Sequence, residues 1–519
     1  MITTTTPNDR MSANTSDPTI APNAVIVGDG GLPVCIQSPS PMCLTWDILD
    51  KVMAYSQRAD ASRLSRTCRT LLDLAPRYLL REVRLSSPDE FLLFYAFLFS
   101  GRHDGFRFLK VLQVDTGTDD EWDQRIPDLN DRLTTLFARA SGLRALSIHD
   151  TYYFDRDERV SAALSSMTNL RTLEIQRVTR HTASLLQSMQ APLTCLDFPL
   201  RDLGSDNARP TLATLLAPFR NSLRVLEVRS AHFDNNTMQF PCLTSLRGSV
   251  LGSLVDLRNI VQSFPNLRDL DISTDERGEE GQIESCRRHN QQVQAQYHWP
   301  SLRYLSGPLQ TLYMLGVDCR VQEVDLKWGD LKDGTDGEQL SAVLAGTQPI
   351  ILKLRIRLPG INTSLLGGYL SSAKGALREL SISFSYCPQS VGVNLAQSVI
   401  EAFESLSNFS FQTLKICIDP LYRLDAILLG IEEPLIQSVN HAVVAQHAAR
   451  CIPAVHWITV DKELYREVYE VHDEVDVTSV LVRQETTTMT AEDLAFEPNS
   501  SDFPTWQDWY DGCPAFWRL

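Results

Sequence analysis

One spacing of aliphatic side chains, L-x-x-L-x-L, recurs along most of the chain from residue 109. Clear copies are Leu109/Leu112/Val114, Leu143/Leu146/Ile148, Leu170/Leu173/Ile175, Leu193/Leu196/Phe198, Leu223/Leu226/Val228 and Leu267/Leu270/Ile272. Looser ones follow at Val321/Val324/Leu326, Ile351/Leu354/Ile356, Leu377/Leu380/Ile382 and Phe411/Leu414/Ile416, with truncated versions at Leu243/Leu246 and Leu302/Leu305. The last two aliphatics of each full copy flank one residue, the mark of a short strand buried on one face. Segments between the copies, such as Val160–Leu164, Leu185–Met189, Thr211–Leu216, Val255–Val261, Leu365–Leu370 and Leu395–Phe403, carry helical spacing instead. The mean interval is roughly 27 residues, enough for a strand and a return helix. A single repeat of this size cannot cover its own apolar face, so stacking is what makes a core. The pattern therefore predicts an α/β fold over 109–420, with parallel strands on a concave side and helices on a convex one.

Residues 44–85 follow a different rule. Thr45 can cap a helix from Trp46 whose stripe is Ile48, Leu49, Val52 and Met53. Asp60 is the candidate cap of a second helix, with Leu64, Cys68, Leu71 and Leu72 on one side and Arg63, Arg66 and Arg69 on the other. Pro76 suits the start of a third, carrying Tyr78, Leu79 and Val83, because its missing N–H would lack an intrahelical partner there. A connecting segment, 86–108, contains an apolar run that predicts a buried helix at 88–100. Residues 1–43 are polar and almost without apolar periodicity, which predicts a disordered leader. Past 420 the repeat fades into a predicted cap, 421–475, with a helix at 432–450 and a last strand at 454–461. An acidic tail, 476–519, bears Trp506, Trp509, Tyr510, Phe516 and Trp517 and is expected either to fold back onto the array or to serve as a short docking segment for another protein. The polar stretch 275–298 reads as a long loop or exposed helix, and 329–338 as an acidic loop.

The three-helix module resembles the F-box. That family opens with Leu-Pro, an acid and an aliphatic pair, and later carries an acid, a Leu and a Cys-Arg signature. Leu44, Asp47, Ile48, Leu49, Val52, Asp60, Leu64, Cys68 and Arg69 fall at matching places, with Thr45 where Pro is usual. The array behind it resembles leucine-rich repeats. It departs from them where Asn or Cys is common after the last aliphatic, having Thr151, Val178, Arg201, Ala231 and Asp275 instead, so an irregular solenoid is expected. Head and array together resemble the substrate-receptor subunits of SCF-type, cullin-RING ubiquitin ligases. The resemblance implies a head that binds an acidic adaptor subunit, with Leu44, Ile48, Leu49, Val52, Leu64, Cys68 and Leu71 shared between its own core and that interface. It also implies an array that holds a protein substrate while other subunits deliver ubiquitin. The alternative is a leucine-rich-repeat scaffold unconnected with ubiquitin, whose head is an N-terminal cap.

Composition narrows the function further. Hydrophobic residues at 43% and charged ones at 22% are those of a globular chain. A net charge of −16 disfavours a nucleic-acid binder. Residues 461–519 hold fourteen acids against four bases, whereas 44–85 hold eight bases against five acids, a balance suited to an acidic adaptor. Eleven scattered cysteines without a CxxC pair read as reduced thiols in the cytoplasm or nucleus. No secretory signal is expected at MITTTTPNDR, and the longest apolar run, Phe91 to Phe99, is about half of what spans a bilayer, so no membrane association is expected. No HExxH, GxSxG or GxxxxGK[ST] motif occurs. Asp115-Thr116-Gly117 lacks the second Asp-Thr-Gly or Asp-Ser-Gly that proton-sharing carboxylates need, and Cys68 lies on an apolar stripe without a nearby His. The expectation is a binding protein, not an enzyme, with no cofactor and no metal.

Its binding surface follows from the strands. The residue between the second and third aliphatics points to the concave side, because strand side chains alternate. Along the array this position reads Gln113, Ser147, Glu174, Asp197, Glu227, Arg247, Asp271, Ser306, Asp325, Arg355, Ser381 and Lys415. The row is acidic in its middle and basic later, where Lys353, Arg355, Arg357 and Lys415, with Lys327, are expected to suit an acidic or phosphorylated stretch of the substrate.

Overall fold

A computed structural model describes residues 45–100, 105–115, 122, 126, 128–149, 157–176, 179–200, 211–233, 238–274, 278–327, 331, 335–358, 362–386, 395–420, 441–462, 465–470 and 487–488. Their strands form one sheet in which spatial order equals chain order. These are β1 (Glu82–Leu85), β2 (Val111–Val114), β3 (Ala145–Ile148), β4 (Thr172–Ile175), β5 (Cys195–Pro199), β6 (Val225–Ala231), β7 (Ser245–Val250) and β8 (Asp269–Thr274). They continue as β9 (Ser301–Gly307), β10 (Arg320–Leu326), β11 (Ile351–Leu358), β12 (Glu379–Tyr386), β13 (Thr413–Pro420), β14 (Trp457–Lys462), β15 (Tyr465–Glu470) and β16 (Thr487–Thr488). Neighbours from β1 to β14 pair parallel, while β15 and β16 turn back antiparallel.

The repeat's physics accounts for this order. The middle aliphatics Leu112, Leu146, Leu173, Leu196, Leu226, Leu246, Leu270, Leu305, Val324, Leu352, Leu380, Leu414 and Ile458 are buried and stand in register on successive strands. Helices between strands cover them, so one contiguous core runs from Leu80 to Val460. This is a leucine-rich-repeat type of α/β architecture. The expected helices occur at Glu158–Ser165, Arg180–Ser188, Leu212–Leu216, Leu257–Ser263, Leu366–Leu370 and Leu395–Ser405. Of the expected helix at 432–450, the described part is His441–Cys451, and the expected last strand is β14. The antiparallel return of β15 pairs the outer edge of β14, which would otherwise present open backbone groups.

The array begins one repeat earlier than the pattern suggested. Leu80, Val83 and Leu85 form a further copy, and β1 pairs with β2. Val83 is therefore a strand residue, not part of a third helix. The helices are α1 (Trp46–Tyr55), α2 (Arg58–Ser65) and α3 (Arg69–Leu79), with the boundary between two compact parts of the chain at Lys51/Val52, inside α1. Of the first part only residues 45–51 are described. Asp60 does not cap α2 but lies in its first turn, 3.1 Å from Arg63. Cys68 is the N-cap residue of α3, and Pro76 sits inside that helix instead of starting it. Met53, Ala61, Leu71, Leu74 and Ala75 are buried yet stand outside the contiguous core, and α2 and α3 pack against each other.

One further expectation changes, and another resolves to one of its alternatives. The helix α4 (Pro88–Ser100) buries Phe91, Phe94 and Leu98 but exposes Leu93 and Phe97, so it is buried on one side only. The polar stretch after β8 is a helix, Glu280–Gln294, anchored by a fully buried Asn290. Asn290 accepts from the Leu257 N–H (3.0 Å) and donates to the carbonyls of Val255 (2.9 Å) and Met314 (2.8 Å). The indole N–H of buried Trp299 donates to the Phe264 carbonyl at 2.9 Å.

Candidate functional site

The polar row of the sheet is continuous. Register places Arg84, Gln113, Ser147, Glu174, Asp197, Glu227 and Arg247 on adjacent strands. It continues through Asp271, Ser306, Asp325, Lys353, Ser381, Lys415 and Thr459. One member differs from the sequence reading. Leu352 and Leu354 face the core beside Leu380 and Ile382, so Lys353 occupies the row, and Arg355 lies two residues on, beside Ser383 and Cys417. Arg355 is exposed, and the Arg357 side chain lies outside the described residues.

The charges of this face divide in two. From β8 onward the acids have partners. Arg303 holds Asp269 with two hydrogen bonds of 2.8 and 2.7 Å, Lys327 lies 2.8 Å from Asp271, the Tyr304 hydroxyl donates to Asp325 at 2.9 Å, and Lys353 Nζ is 2.9 Å from Glu323. Lys327 and Lys353, expected at a basic end, thus face carboxylates of β8 and β10 respectively. Lys415, further along, is half-buried.

Before β8 the picture reverses. Glu174 and Asp197 are each only 5% exposed, and Ser147 beside them is fully buried. Glu174 Oε2, Asp197 Oδ1 and Ser147 Oγ make no hydrogen bond. Arg229 reaches only to 3.9 Å of Asp197, and the Gln176 amide is 3.5 Å from the other oxygen of Glu174. Burial, reinforced by the charges of Glu227 and Glu174, pushes the Asp197 carboxyl up to about 8 against the pull of Arg229. Burial also raises Glu227, opposed by Arg247 and Arg229, and raises Asp325, opposed by Lys327. The Cys195 thiol, on the same face, is pushed up to about 12 by burial and then by Asp197, which keeps it protonated.

In the head, Cys68, Ile48 and Val52 are exposed, Leu49 and Leu64 half-buried, and Leu71 buried; Leu44 lies outside the described residues. The sequence grouped Leu71 with Leu72, but α3 turns Leu71 inward and Leu72 out. Sequence reasoning also passed over Glu323, Tyr304 and Arg303, whose partners are 30, 21 and 34 residues away and become visible only with the register. Of Asp115-Thr116-Gly117 only Asp115 is described. Among the described residues no group of three His, Cys, Asp or Glu side chains could hold a metal ion, and no helix is long and apolar enough to cross a membrane.

No protein-family model and no curated protein matches the chain. Among solved structures, it is similar to the leucine-rich repeat-containing protein LegL7 from Legionella pneumophila, at 12% identity and a TM-score of 0.29 over 76% of this chain and 95% of that one.

Proposed function

We propose that the chain is a non-enzymatic interaction subunit of the leucine-rich-repeat type, serving in the cytoplasm or nucleus as the substrate receptor of an SCF-type ubiquitin ligase. Its head docks an acidic adaptor, and the polar face of the sheet holds the protein substrate. The observation that supports this reading is apolar surface left in water by the head: Val52 is 39%, Tyr55 89% and Leu72 56% exposed. Large apolar side chains concentrated on so small a module mark a place for another protein. Exposed Arg63, Arg66 and Arg69 add the positive charge that would steer an acidic partner toward it.

Co-purification of the full chain with the adaptor tests the proposal. Leu72→Asp and Val52→Asp change exposed positions, so each variant keeps its unfolding midpoint and loses the adaptor. Variants that retain wild-type adaptor binding would refute the docking surface. One observation favours a second reading. α3 ends at Leu79 and β1 starts at Glu82, so the head runs without a linker into the first strand, as a cap on the array would. Under that reading the unaltered chain captures no adaptor and is a scaffold unconnected with ubiquitin.

A further inference from the structure

The acids before β8 lack what those after it have. Between β8 and β11, Arg303, Tyr304, Lys327 and Lys353 give Asp269, Asp325, Asp271 and Glu323 each a donor or cation from this chain. Glu174, Asp197 and Glu227 sit on three successive strands, roughly 4.8 Å apart in the pairing direction. Among the described residues, the best contacts to Glu174 and Asp197 are the 3.5 Å and 3.9 Å ones already given, and Glu227 makes no ion pair. Carboxylates taken out of water without donors are costly, so Asp197 holds a proton at neutral pH, and a cation that joins the site displaces that proton and recovers the cost. The side chains belong to the sheet's polar face, since Leu173, Ile175, Leu196 and Phe198 on either side of Glu174 and Asp197 are in the core. Glu227 is half-buried, the most open of the three acids. A bare metal ion is a poor occupant, because no three acidic, His or Cys groups here have the geometry to hold one.

We propose that Ser147, Glu174, Asp197 and Glu227 form a subsite for one cationic side chain, a lysine or arginine, of the protein bound along the sheet. The inference rests on the proposed reading that the polar face of the sheet holds a protein, but the subsite is a property of this chain alone. Ammonium and guanidinium groups supply several donors, and their bonds to carboxylates are charge-assisted. Ser147 Oγ gives the site one neutral acceptor beside the acids.

The test is calorimetric titration of the full chain with Nα-acetyl-arginine amide and Nα-acetyl-lysine amide. Nα-acetyl-citrulline amide, which keeps shape without charge, and calcium chloride are the controls. At least one cationic amide binds saturably with a millimolar dissociation constant, and the affinity falls by about tenfold or more in Glu174→Gln/Asp197→Asn, a loss of about 1.4 kcal/mol. Citrulline amide binding as well as the arginine compound, calcium competing at equal concentration, an unchanged double variant, or no saturable binding by either cation would each overturn the proposal. A subsite that fails while the adaptor still co-purifies leaves the receptor reading intact. A subsite that works while the adaptor does not bind removes the receptor reading alone.

Discussion

Replacing Asp197 by Asn should make the protein more stable at neutral and alkaline pH, and the size of the gain should follow the proton. In the folded chain the carboxyl titrates at about 8, against an ordinary value of 3.8. Between those values the folded state keeps a proton that the unfolded chain has released. Stability contributed by this group is therefore complete below about pH 4, falls as pH rises, and levels off above about pH 8. At pH 7 about three units of that interval have been crossed, which at 1.36 kcal/mol each is on the order of 4 kcal/mol as a ceiling, lowered by any relaxation around the site. Asn keeps the shape and removes the titration, and Asp197 Oδ1 makes no hydrogen bond that the change would break. Urea midpoints of both proteins, followed by tryptophan fluorescence from about pH 4 to about pH 9, give the difference directly. It should start near zero and grow in favour of Asp197→Asn across the window. Parallel curves, or a difference that shrinks as pH rises, would refute the argument that burial and the neighbouring acids hold this proton.

Three other outcomes test the fold around the site. Gly248 has φ +153° and an added Cβ would stand 1.7 Å from the Val228 carbonyl oxygen, so Gly248→Ala should cost about 3 kcal/mol, whereas Gly281→Ala, in open space on a helix, should be neutral or slightly stabilising in the same urea assay. Asn290→Leu removes a hydrogen bond from three backbone groups, of which only the Val255 carbonyl keeps another side-chain donor, the Cys286 thiol at 3.3 Å, and should cost about 3 kcal/mol, with the Leu257 amide losing protection in hydrogen exchange. Lys353→Met removes the ammonium from 2.9 Å of a Glu323 that is buried, and should destabilise by about 3 kcal/mol, with Glu323→Gln in the same chain restoring most of the loss.

Much of this architecture was legible because leucine spacing and strand alternation express the same constraint. Every middle aliphatic named from the sequence except that of β11 lines the core in register. The slip at β11 has a plain cause. Ile351 is aliphatic but half-buried on the polar side, so the run ILKLRIRL fits the pattern in two phases, and only pairing with Leu380 selects the one that puts Lys353 in the row. The first strand was hidden for a related reason, since Val83 also continues the helical stripe of Tyr78 and Leu79. The break between α2 and α3 lies at residues 66–68, Arg-Thr-Cys, where no Gly or Pro announces it. Charge was the least legible layer. The acids of the row could be named, but whether each had a cation depended on side chains up to 56 residues away, as for Lys327 and Asp271.

Strand order that follows chain order has a mechanical corollary. Each rung is supported by the rungs beside it, so damage should be local and should fade along the ladder. A lesion at β7 ought to loosen β6 and β8 while β12 keeps its hydrogen-exchange protection, and the chain's two ends can lose order separately. A guest lying across several rungs would then work as a splint, tightening the segment it spans more than any one contact could.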